Sequence, residues 1–228
     1  MKQKVNFEIE LKENLYKGTY IAVEGIDGSG KTTQAKILAD YFKSKGKKVI
    51  LTREPRKKGL IGDLVHKVLL GKTDMHPKAF QYLFTADRVM HYEDVIVPAL
   101  KKGNVVISDR CFWSAIVYGI LDRAHGKYDL KEAEQILISQ SILSMYHQFI
   151  IPDYSLYLKI SLETSLKRIK EKHKSDQKEI YEDKKKLEQV IKGYNWLSKR
   201  FKDKIITING EESVDEVTKN LFKRINIK

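Results

Sequence analysis

Residues Gly25-Ile26-Asp27-Gly28-Ser29-Gly30-Lys31-Thr32 satisfy the spacing G-x-x-x-x-G-K-[ST]. Glycines so placed let the backbone curl until successive N–H groups face inward. They form a cradle for phosphate oxygens, reinforced by the positive end of the helix that follows. A lysine at position 31 can reach the β- and γ-phosphates as a point charge, and the Thr32 hydroxyl is placed to ligate Mg²⁺. The expected chemistry is nucleoside triphosphate binding, with contacts from Gly25, Ile26, Asp27, Gly28, Ser29, Gly30, Lys31, Thr32 and Thr33.

A second string, Val105-Val106-Ile107-Ser108-Asp109-Arg110, is an apolar run ending in an acid. Asp109 can hold a magnesium-bound water there. A hydrolytic ATPase usually follows with a second carboxylate to polarise water. Here Arg110 follows instead, a cation suited to gripping an anionic acceptor. The chain has neither an NKxD element for guanine nor an LSGGQ-type signature. Transfer to a phosphorylated acceptor is expected rather than hydrolysis.

These residues need a scaffold, and the chain supplies alternating β-rich and helical stretches from Thr19 onward. Strands are expected at Tyr20–Glu24, Lys48–Thr52, Asn104–Ser108, Tyr154–Ile160 and Lys204–Asn209. Ile21-Ala22-Val23 and Val105-Val106-Ile107 are continuously apolar, as strands covered on both faces must be. Helices are expected at Lys31–Lys45, Leu60–Leu70, Pro77–Lys101, Phe112–Arg123, Leu130–Tyr146, Leu162–His173, Tyr181–Phe201 and Val214–Ile225. Such alternation implies an α/β fold with a mostly parallel sheet between helical layers, its ligands at the carboxyl ends of the strands.

Composition narrows the rest. A chain of 228 residues fits one large domain. The net charge of +13 suits polyanionic ligands, nucleotides and nucleic acids alike. A single cysteine, Cys111, excludes an intramolecular disulfide, and the six histidines lie too far apart for zinc spacing. No apolar run is long enough to span a membrane, and residues 1–17 lack the apolar core of a secretory signal, so a cytoplasmic protein is expected. Residues 1–17 look appended to a single domain at 18–228. Within them Val5, Phe7, Ile9 and Leu11 alternate with polar residues, the pattern of an added edge strand, though a frayed tail would serve as well.

The motifs together resemble the thymidylate kinases. The similarity runs through Tyr20 to Gln34, Thr52-Arg53-Glu54-Pro55, Phe84-Thr85-Ala86-Asp87-Arg88, Ser108-Asp109-Arg110 with Ser114 and Tyr118, and Pro152 to Leu158 followed by Leu166 to Ile169, in family order. The resemblance implies a P-loop nucleoside monophosphate kinase fold of three α/β/α layers, with a five-stranded parallel sheet and a mobile lid near residues 170–182. It also implies a homodimer and the reaction of MgATP with dTMP to give ADP and dTDP. By resemblance Arg110 holds the acceptor phosphate, and Tyr118 lies against the deoxyribose and disfavours a 2′-hydroxyl. Asp27 meets the substrate 3′-hydroxyl and the metal region. Arg53, Glu54, Phe84, Arg88 and Ser114 complete the acceptor pocket, and Arg168 joins the ATP contacts. Catalysis would rest on Lys31, Arg110, Asp109 and Asp27, with Thr32 and, through water, Asp109 at the metal.

Helical spacing agrees with part of this. Phe84, Asp87, Arg88 and His91 fall on one face of the Pro77–Lys101 stretch, where an aromatic, an arginine and an acid could stack on a pyrimidine and bond its edge. The plainer alternative is a core Phe84 beside a surface Asp87/Arg88 pair. Arg110, Ser114 and Tyr118 stack at i+4 intervals on one wall, though Tyr118 could be only a half-buried packing aromatic. Arg53 and Glu54 could be a surface ion pair, and Cys111 reads as a small packing residue.

Several positions depart from the family. The phosphate loop carries no arginine between Gly25 and Gly30, which matches the class that relies on a lid cation. The lid region offers Lys172, His173, Lys174 and Lys178, without the two-point grip of a guanidinium. Ala115 stands where bacterial members tend to carry a polar residue, Gly119 where they have glutamine, and Pro55 is followed by Arg56-Lys57-Lys58 rather than Gly-Gly-Thr. The alternatives are a related nucleotide or deoxynucleoside kinase of different acceptor range, and, more remotely, a basic ATP-binding nucleic-acid-binding protein. No RNP-like strand, KH loop or zinc knuckle supports the latter, and no nucleic-acid or membrane partner is expected.

Overall fold

Two strands without polar alternation form the middle of the sheet. In the computed structural model, which describes residues 8, 10–123, 132–172, 181 and 183–225, β1 (Thr19–Glu24) and β3 (Val105–Asp109) are buried almost throughout. They pair in parallel with each other. β2 (Val49–Arg53) flanks β3, while β4 (Tyr154–Lys159) and then β5 (Ile205–Asn209) flank β1, giving the order β2-β3-β1-β4-β5. The connections are α1 (Lys31–Ser44), α2 (Leu60–Leu69), α3 (Pro77–His91), α4 (Val97–Lys101), α5 (Phe112–Arg123), α6 (Glu132–Tyr146), α7 (Leu162–Lys172) and α8 (Lys184–Arg200), with α9 (Val214–Arg224) closing the chain. The expected α/β architecture with five parallel strands is present, each strand within a residue or so of its expected bounds.

Alternation of side chains along each strand divides the core into two layers. Ile21, Val23, Ile107, Leu156 and Leu158 pack with Ala35, Leu38 and Phe42 of α1 and with Val217 and Leu221 of α9. Tyr20, Ala22, Val106 and Tyr157 face the opposite way, into a larger cluster with α2, α3, α5, α7 and α8. The sheet is therefore the filling of an α/β/α sandwich, and its carboxyl edge is left free for the loops.

Two expected helices differ from their expected form. Pro77–Lys101 is not one regular helix: a π turn at Tyr92–Ile96 separates α3 from α4. Pro98, at the start of α4, lacks the N–H that a continuous α-helix would require there, and the wider turn absorbs that break. The expected Tyr181–Phe201 helix begins only at Lys184, because Asp183 caps it, its Oδ1 accepting from the N–H groups of Lys185 and Lys186 at 3.0 and 3.3 Å. Leu130 and His173, expected ends of two other helices, lie outside the described residues, as do Val5, Phe7 and Ile9 of the supposed edge strand. Lys12 does form a parallel bridge with Ile150, and Asp153 ties Asn14 to the Tyr20 N–H at 2.8 and 2.7 Å.

Candidate active site

The register of the central strands levels their carboxyl ends, so that Val23, Asp109 and Arg53 stand side by side. Above them opens a cleft of about 930 Å³, floored by the loop between β1 and α1. That loop turns through Gly28 and Gly30 at φ of 79° and 93°, a left-handed conformation that costs a side-chain-bearing residue and not a glycine. A Cβ at Gly28 would also lie 2.7 Å from the Ser165 carbonyl, so α7 can sit directly on the loop. The Ser165 hydroxyl donates to the Asp27 carbonyl at 2.6 Å and pins this contact. No side chain caps the start of α1, which leaves its first N–H groups pointing into the cleft floor.

Lys31 is 7% exposed; its ammonium donates to the Ile26 carbonyl at 2.9 Å and meets Asp27 Oδ1 at 3.5 Å. Burial, and then the nearby Arg110 charge, hold its pKa below that of an ordinary lysine. Thr32 Oγ1 donates to Asp109 Oδ2 at 2.5 Å, and the other Asp109 oxygen is buried without a partner among the described residues. A hydroxyl beside a half-satisfied carboxylate suits a hydrated divalent cation arriving with phosphates. Among the described residues no cluster of three His, Cys, Asp or Glu could hold a metal by itself.

Arg110 occupies the turn after β3 at φ 74°, a strained position for a residue with a Cβ. Both terminal nitrogens of its guanidinium are engaged. Nη2 meets Asp27 Oδ1 at 2.6 Å, while Nη1 reaches the Gly25 carbonyl at 3.0 Å, the Tyr194 hydroxyl at 3.2 Å and Ser114 Oγ at 3.3 Å. The Tyr118 ring lies 5.4 Å from it, so Arg110, Ser114 and Tyr118 do share one wall. Behind them the buried Glu24 accepts from the Cys111 N–H, Ser114 Oγ and the Tyr194 hydroxyl at 2.8, 2.7 and 2.8 Å. Cys111 is buried, and burial raises its thiol pKa well above the usual value; it is a packing residue.

The opposite wall comes from α3. Phe84 and Arg88 line the cleft. Glu54 is 2% exposed and holds Arg88 Nε at 2.6 Å and His91 Nδ1 at 3.2 Å, which overturns the alternative of a surface Arg53/Glu54 pair. The His91 ring bridges Glu54 and Thr52, its Nε2 lying 2.6 Å from Thr52 Oγ1. Burial works against ionising Glu54, yet Arg88 and His91 hold its pKa below the usual carboxylate range. Asp87 does not face the cleft with its neighbours. It receives the Arg56 backbone N–H and Nε, both at 2.9 Å, so Arg56 shapes the loop after β2. Arg53 lines the cleft with its Nε buried and unpartnered among the described residues.

At the far side Arg168 reaches the Gly210 carbonyl at 3.0 Å and the Gly28 carbonyl at 3.5 Å. Lys172 is the last residue of α7, whereas His173, Lys174 and Lys178 lie outside the described residues. Sequence reasoning missed four contributors: Glu24, Tyr194, and the pair Asp122 and Tyr181, whose hydroxyl donates to both Asp122 oxygens at 2.9 and 2.8 Å. Glu24 had a signal, an acid closing an apolar strand just before the loop. The others are ordinary helix or turn residues whose partners lie far away in the chain.

This geometry meets an independent finding. The family model for thymidylate kinase matches residues 23–221. The chain belongs to the thymidylate kinase family. The probable thymidylate kinase of Methanococcus aeolicus is 38% identical over 211 residues, covering 90% of this chain and 95% of the relative. The thymidylate kinase of Mycoplasma mobile is 35% identical over 213 residues, covering 91% and 97%. The probable thymidylate kinase of Pyrococcus horikoshii is 40% identical over 159 residues, covering 68% of this chain and 71% of the relative. The family match runs from the end of β1 into α9, so the residues that line the cleft, 27 to 217, fall within it.

Proposed function

We propose that this protein transfers the γ-phosphoryl group of ATP to dTMP, giving dTDP and ADP. The observation that carries the reading is the placement of two cationic groups, Lys31 and Arg110, on either side of Asp27 in a single cleft large enough for two nucleotides. An acceptor phosphate oxygen is already anionic, so it can attack the γ-phosphorus without a strong base while the bond to the bridging oxygen breaks. Catalysis is then in-line positioning with charge neutralisation, Lys31 toward the β/γ side and Arg110 toward the acceptor.

In this reading Phe84 stacks on the base, Arg88 bonds its edge, and Arg53, Glu54, Ser114 and Tyr118 hold the remainder of the acceptor. Arg168 and the loop from Gly25 to Thr33 hold ATP, and Lys172, His173, Lys174 and Lys178 are the candidate cations of a lid near residues 170–182. Thr32 and Asp109 would hold Mg²⁺, Asp109 through water; when bound, the ion offsets charge on the triphosphate. Tyr82, Val89 and Met90 are exposed on the outer side of α3 and support a homodimer through that face. Among the described residues no helix is long and apolar enough to cross a membrane, and we place the protein in the cytoplasm.

The test is a coupled ADP-release assay across nucleoside monophosphates and thymidine, with Lys31→Ala as the control. Turnover should be highest with dTMP, and the variant should stay folded and lose roughly 10²–10³ in rate. Preference for thymidine over dTMP, or a Lys31→Ala variant with half the wild-type rate, would overturn the reading.

A further inference from the structure

Two buried polar atoms on one face of α3 have no partner among the described residues: Nη1 of Arg88 and Oε1 of Gln81. Positions 81, 84 and 88 are spaced i, i+3 and i+7, and all three side chains line the cleft, with Phe84 between the other two. Gln81 is fully buried, and an amide oxygen left without a donor in such a place is costly unless a ligand completes it.

The surroundings set which end of the amide is free. Gln81 Nε2 faces Asp122 Oδ2 at 3.5 Å, and an ionised carboxylate only accepts. The amide nitrogen is therefore directed to Asp122 and the oxygen away from it. α5 leaves room for this side chain through Gly119, where a Cβ would lie 3.1 Å from both Cδ and Oε1 of Gln81 and 2.5 Å from Ile142. One turn earlier on the same helix, Ala115 lines the cleft and offers no polar group of its own. This face of α3 thus holds one free donor and one free acceptor flanking an aromatic ring. An imide pyrimidine, thymine or uracil, presents the complement, a C4 carbonyl next to an N3–H. Cytosine presents the reverse, an amino group next to a bare N3.

We propose that Gln81 reads the acceptor base by accepting its N3–H at Oε1, making the pocket selective for imide pyrimidines over cytosine. This rests on the reading of the cleft as a pyrimidine monophosphate site. It assigns to α3 a discrimination for which the Ala115 position of α5 has no group, and it does not separate thymine from uracil.

The experiment compares dTMP, dUMP, dCMP and N3-methyl-dTMP with the wild-type enzyme and with Gln81→Met, by turnover and by direct binding. The wild type should favour dTMP and dUMP over dCMP and bind N3-methyl-dTMP at least about tenfold more weakly than dTMP. Gln81→Met should lower kcat/KM for dTMP roughly tenfold with an unchanged KM for ATP. In this variant the penalty for N3-methylation and the preference over dCMP should both shrink. Wild-type binding of N3-methyl-dTMP as tight as that of dTMP would overturn the proposal, whatever the folding of the variant. So would a Gln81→Met enzyme, active on dTMP, that keeps both wild-type ratios. A wild-type enzyme that phosphorylates other nucleotides but no thymidine or uridine monophosphate would overturn the pyrimidine reading and this proposal with it.

Discussion

The Asp27 carboxylate lies 2.6 Å from the Arg110 guanidinium and 3.5 Å from the Lys31 ammonium, so one side chain of the phosphate loop pairs with both of these cleft cations. Burial alone would raise its pKa, but Arg110 and then Lys31 bring it down from 3.8 to about 2. A depressed carboxylate stabilises the fold above its unfolded pKa and loses that contribution as pH falls through the folded value. Asp27→Asn should therefore be less stable than wild type at pH 6. Thermal or denaturant unfolding should show the gap closing between pH 4 and pH 2.

Arg110 separates backbone strain from chemistry. Its φ of 74° disfavours any residue with a Cβ, by about 1–2 kcal/mol. Arg110→Ala and Arg110→Gly should lose activity with the acceptor equally, since both remove the guanidinium. The glycine variant should be the more stable of the two by about 1 kcal/mol in urea unfolding.

Glu54 and Arg88 should behave as one unit. Each is buried and each faces the other at 2.6 Å, so removing either leaves an uncompensated charge, at about 3–5 kcal/mol. The double variant Glu54→Leu/Arg88→Leu should cost clearly less than the sum of the single changes in a double-mutant cycle. Where the Arg88→Leu protein remains folded, its KM for dTMP should rise far more than its KM for ATP.

Asp122 runs in the opposite direction with pH. Burial raises its pKa from 3.8 to about 6, outweighing the hydrogen bonds from Tyr181 and Gln81. A raised carboxylate favours the fold when protonated, and this contribution falls away as pH rises from about 4 to about 6. Asp122→Asn keeps an oxygen to accept from Tyr181 and carries no charge. It should flatten the stability profile over that interval and match or exceed wild-type stability at pH 7.5.

The strands and the phosphate loop were legible in the sequence because their signals are local. Ile21-Ala22-Val23 and Val105-Val106-Ile107 are apolar on both faces, and the glycines at 28 and 30 answer to backbone torsions within a few residues. The alignment of Ser114 and Tyr118 followed from helical spacing, whereas Arg110 joins them from the turn ahead of α5. Asp87 did not follow its neighbours on α3, because Arg56 from the loop after β2 captures it, a contact across 31 residues. Tyr194 was invisible for the same reason. It meets Glu24 across 170 residues, and only the packing of α8 on the sheet turns its hydroxyl that way. The π turn at Tyr92–Ile96 carries no periodic signature beyond the proline that follows it.

Glu24 binds together parts of the chain that the linear order keeps apart. The turn after β3, the start of α5 and the middle of α8 all donate to its two oxygens. Loss of that one carboxylate would therefore release three separate segments at once, among them the turn that carries Arg110.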